Sequence, residues 1–559
     1  MQLEVLKLLK SVGIREIEKL EIPPQPEFGD LAFPCFELAK KEKRNPKEVA
    51  EEIVKKIKIP KGSLISKVEA KAGYVNFFFN WEKLSEKILK KIKKGIKPKI
   101  GKGKKVMVEY SQPNPVHPMH IGHARGTFLG EALANIFDFL GYKVIRANYM
   151  NDVGLQVAKL VAAYNLWAKN KKPKGKPDFW LWQYYIKFHE EVSKNPQLEE
   201  KAREILRKLE IEKEKKVIKI WRQIVRWCIK GFEQTYKRLG IKFDVYFFES
   251  DFRDLGKKIV EMALEKNVAF KSPDKTIVSN LEKYGIPNLV LLRSDGTGLY
   301  QTSDLGLTVY KFKKYKLNKS IWVVSSQQIL HFKQVFKLLE LLGYPWIKNA
   351  HHFYFEHVVL PEGKMSSREG RAVMLDEVIN KLVEMAYDEV DKRNPNLSKE
   401  QKRNLAEKIG IGALKYSVLK IEPENQITFD WKQMLSFEGN TAPYLQYAHT
   451  RCKGILKKAD KWKPNFKIEK LAEEEKKLVK ILARFSEIVE KAAKDLRPHY
   501  ICNFAYELAT AFDKFYEFCP VLKAENEKLK NFRLTLVDTT RIILEKSLNL
   551  IGIEVPEKM

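Results

Sequence analysis

Cysteine is scarce in this 559-residue chain: five residues, at 35, 228, 452, 502 and 519, with no Cys-x-x-Cys pair. An odd and scattered set argues against a disulfide framework and a Cys-type zinc site, and fits a reducing compartment. Long apolar runs are missing too. No window approaches about 18 uninterrupted apolar residues, so no membrane span is expected. The opening stretch, MQLEVLKLLKSVGIREIEKL, reads as an amphipathic helix without the apolar core of a signal peptide, and a cytoplasmic location is expected. There is no G-x-S-x-G nucleophile elbow. The nearest thing to a phosphate-binding loop fails, because Gly95 and Gly101 enclose one residue too many and no Ser or Thr follows Lys102. Acidic residues are in deficit, 71 against 103 Lys and Arg, for a net charge of +32. That excess suits a polyanionic partner, since neutralised phosphates release counterions. A Lys-rich solvated surface is the alternative, and charge alone does not choose between nucleic acid and a membrane.

What remains is an ordinary globular composition, 44% hydrophobic, and a length that implies about three or four domains. Residues 1–95 read as a small α+β module. Asn45 caps a helix with Pro46 at its first position, and KAGYVNFFFN reads as a strand. Residues 90–105, with nine Lys and no acid, read as a solvated linker. At VMVEYS a strand begins, followed by the loop QPNPVHPM, a helix ending at Gly141, and the strand KVIRANY. Strand, loop, helix and strand form the first unit of a doubly wound, Rossmann-type parallel sheet. Residues 155–240 are helical, charged and Trp-rich, and read as an insertion. The α/β pattern resumes at FDVYFFES and continues through NLVLLRS and SIWVVSS. From about 401 to 559 nearly everything is helix-periodic, an all-α bundle, with Val537, Leu544, Leu548 and Ile551 as a core stripe. The expected division is 1–95, 105–400 and 401–559.

Three of the ten histidines, His117, His120 and His123, lie within seven residues. Their spacing is not that of a metalloprotease helix, and a zinc site or a structural role are the competing readings. The position favours anion binding. His120-Ile121-Gly122-His123 opens a helix directly after the first strand, where the helix N-terminus attracts phosphate and Gly122 lets a ligand approach. The second segment, Gly363-Lys364-Met365-Ser366-Ser367-Arg368, lies in a polar loop and by itself reads equally as a surface turn.

The first segment matches the HIGH motif of class I aminoacyl-tRNA synthetases, and the second resembles their KMSK loop, here 363–369. The match is imperfect, with Ser367 where the last Lys belongs, and His117 stands three residues before HIGH. Lys364 is the first candidate for the cation facing pyrophosphate, with Arg368 and His117 behind it. EYSQPNPVHPMHIGHARG, ANYMNDVGLQVAKL, GLYQTSDLGLTVYKFKKY, SSQQILHFKQVFKLL, EFGDLAFPCFELAK and APYLQYAHTR, in order along the whole chain, resemble the arginyl-tRNA synthetase family. The resemblance implies ATP with Mg2+ as a substrate complex, L-arginine and tRNA(Arg) as further substrates, no tightly bound metal, and a monomer. His120, Ile121, Gly122 and His123 would hold ATP with Lys364, Met365, Ser366 and Ser367, and His120, His123 and Lys364 would be catalytic. Asp304 would receive the guanidinium, with Tyr300 and Gln328 beside it, and Glu109 and Asn114 would hold the α-amino group and carboxylate. Guanidinium is planar and always charged, so a carboxylate partner is physically apt. Asp304 also fits a helix N-cap before LGLTVYKF. Tyr447 and Arg451, four apart on one helix face, would stack anticodon bases, and Asn76 and Phe79 would meet the tRNA elbow.

Overall fold

The computed structural model describes residues 2–15, 20–359, 373–428 and 430–559. The chain divides into two compact units, each discontinuous in sequence.

The first unit comprises Met1–Ile96, Cys452–Arg484 and Thr510–Ile543. Helix α1 (Gln2–Ser11) is shorter than the sequence reading, and residues 16–19 lie outside the described residues. Strand β1 (Leu31–Pro34), helices α2 (Phe36–Glu42) and α3 (Pro46–Lys56), strands β2 (Ile65–Lys71) and β3 (Tyr74–Phe79), and helix α4 (Trp81–Lys93) follow. Asn45 caps α3, its Oδ1 accepting from the Lys47 N–H at 2.9 Å, with Pro46 in the first turn. The sheet is antiparallel in the order β1-β3-β2. The expected linker at 90–105 is only partly one. Its first four residues are the last turn of α4, where Ile92 is buried and Lys93 pairs with Asp538. An apolar residue at helical spacing anchors the lysines around it.

The second unit comprises Lys97–Arg451, Phe485–Ala509 and Leu544–Met559. Its first part runs β4 (Lys105–Glu109), α5 (Ile121–Phe139) and β5 (Lys143–Met150). Four helices fill the expected insertion: α6 (Leu155–Trp167), α7 (Pro177–Lys194), α8 (Gln197–Glu210) and α9 (Lys215–Arg238). Then come β6 (Val245–Phe248), α10 (Arg253–Glu265), β7 (Ala269–Lys271), β8 (Ile277–Ser279), β9 (Val290–Leu292), α11 (Tyr300–Tyr315), β10 (Lys319–Ser325), α12 (Ile329–Leu341), β11 (Ala350–Phe355) and β12 (Val358–Val359). The central sheet is wholly parallel in the order β11-β10-β4-β5-β6. Chain order thus reverses between β4 and β10, the switch point at whose carboxyl ends such sheets bind ligands. NLVLLRS does not join this sheet. It forms β9 of a separate antiparallel sheet, β7-β8-β9, because its short strands and short connections leave no room for a parallel crossover.

Helical structure dominates thereafter: α13 (Leu375–Arg393), α14 (Lys399–Leu419), α15 (Trp431–Met434), α16 (Ala442–Lys458), α17 (Glu473–Asp495), α18 (His499–Phe518) and α19 (Glu527–Leu550), with β13 (Ile427–Thr428) pairing with β12. Val537, Leu544, Leu548 and Ile551 are all buried. The five cysteines are buried free thiols, and burial pushes Cys35 up to about 12. Among the described residues no helix is long and apolar enough to cross a membrane.

Candidate active site

The site is built at the carboxyl end of β4. Glu109 is the last residue of that strand, and the loop after it leads into α5. His120 is the N-cap of α5. Its Nδ1 accepts from the Gly122 N–H at 3.1 Å, while the His123 Nδ1 accepts from the His120 N–H at 3.2 Å. The two rings lie 3.8 Å apart between centroids, with His117 at 5.6 and 5.9 Å. Burial, with the neighbouring imidazoles, lowers His120 to about 3 and His123 well below its usual value. Both are therefore neutral at physiological pH. With each Nδ1 acting as acceptor, the ring proton sits on Nε2, so the capping hydrogen bonds hold two neutral N–H donors at a helix N-terminus. The His117 Nδ1 is engaged with the Pro118 carbonyl at 2.8 Å. Among the described residues no group of three His, Cys, Asp or Glu is placed to hold a metal ion.

Gly122 is needed for a reason the sequence did not show. A Cβ there would lie 2.8 Å from the His120 Cε1 and 2.9 Å from its Nδ1, so the residue makes room for the imidazole.

The stems of the segment that resembles KMSK meet this same helix. Fully buried Arg125 donates from Nη1 to the Glu356 carbonyl at 2.6 Å and from Nη2 to the Glu422 carbonyl at 2.9 Å. On the far side, the Ile121 N–H donates to the Val373 carbonyl at 3.1 Å and the Leu375 N–H to the Met119 carbonyl at 2.8 Å. Lys364, Met365, Ser366, Ser367 and Arg368 lie outside the described residues.

Asp304 is inside α11, not at its cap. The helix starts at Tyr300; the Leu299 carbonyl accepts from the Thr302 and Ser303 N–H groups at 3.0 and 3.4 Å, and the Leu299 N–H donates to the Thr302 Oγ1 at 2.9 Å. The capping reading is thus replaced: residues 299–302 already close the helix end, one turn earlier. The Asp304 Oδ2 lies 2.7 Å from the His331 Nε2, and the Tyr300 ring is 5.1 Å from that of His331. Glu109 is buried with Lys311, which sits two turns beyond Asp304 on α11. Burial pushes Glu109 up and Lys311 down, and each opposes the shift of the other. The Gln112 amide donates to the other Glu109 oxygen at 3.3 Å, so both carboxylate oxygens are engaged inside the protein. Asp304 lies close enough to act electrostatically on Glu109, Tyr149, Glu249 and Lys311. The corner therefore collects Glu109, Asp152, Glu249 and Asp304 against Lys311 and Arg253. Burial raises Glu249 to about 7 and Asp152 to about 6, with acidic neighbours adding to both. Such an acidic excess is suited to an incoming cation. Beside Tyr300 opens a cleft of about 600 Å³, also lined by Asn151, Glu249, Arg253 and Arg293. Its size is typical of a small-molecule site.

The other anticipated residues are less uniform. Asn114 is exposed, and Gln328 is half-buried at the N-terminus of α12. Tyr447 is 41% exposed on α16, with the Arg451 guanidinium 5.9 Å from its ring centroid. Asn76 and Phe79 are buried at 4% each in β3, the central strand of its sheet. In this conformation neither presents its side chain to a partner, because the sheet's faces are covered at both positions, which the sequence does not display. Lys311, His331, Arg125 and Tyr149 escaped the sequence reading. A lysine at helical spacing behind Asp304 was the one available signal for Lys311.

The model described as "tRNA synthetases class I (R), catalytic domain" matches residues 84–431, more than half of the chain. The chain belongs to the class I arginyl-tRNA synthetases. The synthetase also matches "Arginyl tRNA synthetase N terminal domain" over residues 3–79 and "DALR anticodon binding domain" over 445–559. It is 40% identical over 563 aligned positions to the arginine–tRNA ligase of Halothermothrix orenii, covering 99% of this chain and 97% of that one. It is 39% identical to the Clostridium perfringens ligase, covering 100% and 99%. The solved arginyl-tRNA synthetase of Thermus thermophilus matches with a TM-score of 0.85 at 28% identity, covering 100% of this chain and 99% of that one.

Proposed function

We propose how the residues of this arginine–tRNA ligase divide its work. Arginine is activated by ATP to the adenylate with release of diphosphate, and the arginyl group then passes to the terminal adenosine of tRNA(Arg), releasing AMP. In the first step an arginine carboxylate oxygen bonds to the α-phosphorus as the bond to the pyrophosphate oxygen breaks. In the second, a ribose hydroxyl attacks the adenylate carbonyl and AMP leaves. No protein nucleophile is required, so catalysis is positioning and charge stabilisation.

The guanidinium is taken by Asp304, with Tyr300 and Gln328 lining its place. Glu109, its charge balanced by Lys311, and Asn114 lie toward the α-amino group and carboxylate. His120 and His123 donate their Nε2–H groups to the nucleotide at the amino end of α5, with Ile121 and Gly122 forming the backbone beneath. Lys364 faces the departing pyrophosphate, with Met365, Ser366 and Ser367 around it, and Mg2+ enters with ATP as part of the substrate. Tyr447 and Arg451 contact the tRNA, and the domains divide near 95–105 and 400. Asn76 and Phe79 are not carried forward as direct tRNA contacts, given their burial. The enzyme acts as a cytoplasmic monomer.

One observation carries this reading: Asp304 stands two turns before Lys311 on α11, and the Lys311 ammonium pairs with Glu109 at the end of the strand that leads to the histidine cap. The test is aminoacylation of total tRNA with each labelled amino acid in turn. Arginine alone is charged, and Asp304→Ala loses this while keeping its circular dichroism. Charging of another amino acid, or full arginine charging by the variant, contradicts the reading.

A further inference from the structure

Recognition of a flat cation depends on the plane of the carboxylate that meets it as well as on its charge. The last torsion of an aspartate is broad, so an unrestrained Asp304 would sample many planes. Its Oδ2 is not unrestrained. The imidazole of His331, in the first turn of α12, places Nε2 at 2.7 Å from it. An ionised carboxylate only accepts, so Nε2 carries the proton and donates. The His331 side chain is 8% exposed, against 23% for Asp304. Tyr300 lies against it on one side, and Phe332 meets it edge-on at 5.2 Å between centroids. The histidine is therefore the more buried and packed of the two, and the aspartate is the more exposed.

We propose that His331 is a positioning residue for arginine recognition: its Nε2–H ties one oxygen of Asp304 and sets the carboxylate plane, leaving Oδ1 and the second lone pair of Oδ2 for the two N–H groups of the guanidinium edge. The inference rests on Asp304 being the guanidinium acceptor. Each carboxylate oxygen has about two acceptor sites, so the histidine and a forked guanidinium are compatible on the same group. The preorganisation acts in arginine binding and leaves the nucleotide end untouched.

The test uses the full-length enzyme and steady-state aminoacylation, with arginine and ATP varied separately, on His331→Ala, His331→Gln, Asp304→Asn and the His331→Ala/Asp304→Asn double variant. Loss of one hydrogen bond to a charged group predicts a KM for arginine raised about 10-fold in His331→Ala, with the KM for ATP and kcat changed less than about threefold. His331→Gln, which keeps an N–H donor, restores most of the loss. Adding His331→Ala to Asp304→Asn changes little further, because the histidine acts through the carboxylate. An unchanged arginine KM in His331→Ala beside a raised one in Asp304→Asn overturns this inference and leaves the guanidinium reading standing. An unchanged KM in Asp304→Asn overturns the guanidinium reading itself. Equal loss in the Ala and Gln variants, or a parallel rise in the KM for ATP, shows a merely structural histidine and also overturns the inference.

Discussion

Replacing Lys311 with methionine leaves a buried carboxylate without its cation. The Lys311 side chain is 0% exposed and that of Glu109 is 3% exposed, so water cannot take over from the ammonium. Among the described residues the donor that remains is the Gln112 amide, at a long 3.3 Å. Breaking such a pair from one side costs about 3–5 kcal/mol, a large share of the roughly 5–15 kcal/mol that keeps a domain folded. The sign with pH follows from Glu109. Its folded pKa is raised above the unfolded value, so the folded state holds the extra proton. Lys311 lowers Glu109 in the parent, so its removal raises the folded value further, and the variant loses stability relative to the parent as pH rises from the ordinary carboxylate range and regains it as pH falls. The assay is urea unfolding followed by tryptophan fluorescence, and Trp322, whose ring centroid is 4.7 Å from the Lys311 ammonium, reports locally. Adding Glu109→Gln to Lys311→Met recovers much of the loss, since a neutral amide replaces the stranded charge. Lys311→Met within about 0.5 kcal/mol of the parent, the level of ordinary surface changes, refutes the reasoning, as does a deficit that ignores pH.

Four further outcomes are expected. His120→Ala lowers single-turnover adenylate formation by about 10²–10³-fold through loss of one transition-state donor, and loses about 1 kcal/mol of stability with the helix cap, read by thermal melting. Because His120 is held near 3, kcat/KM for ATP shows no His120 titration between pH 6 and 8, checked by comparing the profiles of parent and His120→Asn. For stability the sign is opposite to that of Glu109: the unfolded imidazole takes up a proton below about 6.5 that the folded one refuses, so the parent loses stability as pH falls from there toward 3. Tyr447→Ala weakens tRNA binding by about 5- to 150-fold, the range of one lost base stack, while the KM for arginine stays constant, measured by filter binding and aminoacylation.

The sequence carried the elements with strong periodicity or punctuation. The β4–α5–β5 unit, the helices of the insertion, the Asn45 cap and the buried stripe on α19 follow from spacing, capping residues and Gly141. It carried less wherever a residue's meaning depends on what lies across space. NLVLLRS has the composition of a central strand, and only its partners place it in a small antiparallel sheet. Asn76 and Phe79 are indistinguishable from exposed strand residues until the faces of their sheet are covered. Asp304 follows a capping pattern, yet Leu299 and Thr302 already end the helix. Gly122 reads as an opening for a ligand, and its space is taken by the His120 ring. Nothing local in QILHFKQ marks His331 as a partner of an acid, and for Lys311 the sequence offers only its helical spacing behind Asp304, not the pairing with Glu109. Local chemistry thus pointed to His120, His123 and Asp304, and tertiary packing placed Lys311 beside Glu109 and His331 beside Asp304.

The most direct measurement is a crystal structure of the enzyme with a non-hydrolysable arginyl-adenylate analogue. Guanidinium nitrogens are expected within about 3 Å of the Asp304 carboxylate, and phosphate or ribose oxygens at the Nε2 atoms of His120 and His123. A guanidinium seated away from Asp304, or an adenylate that does not reach the amino end of α5, would contradict this assignment.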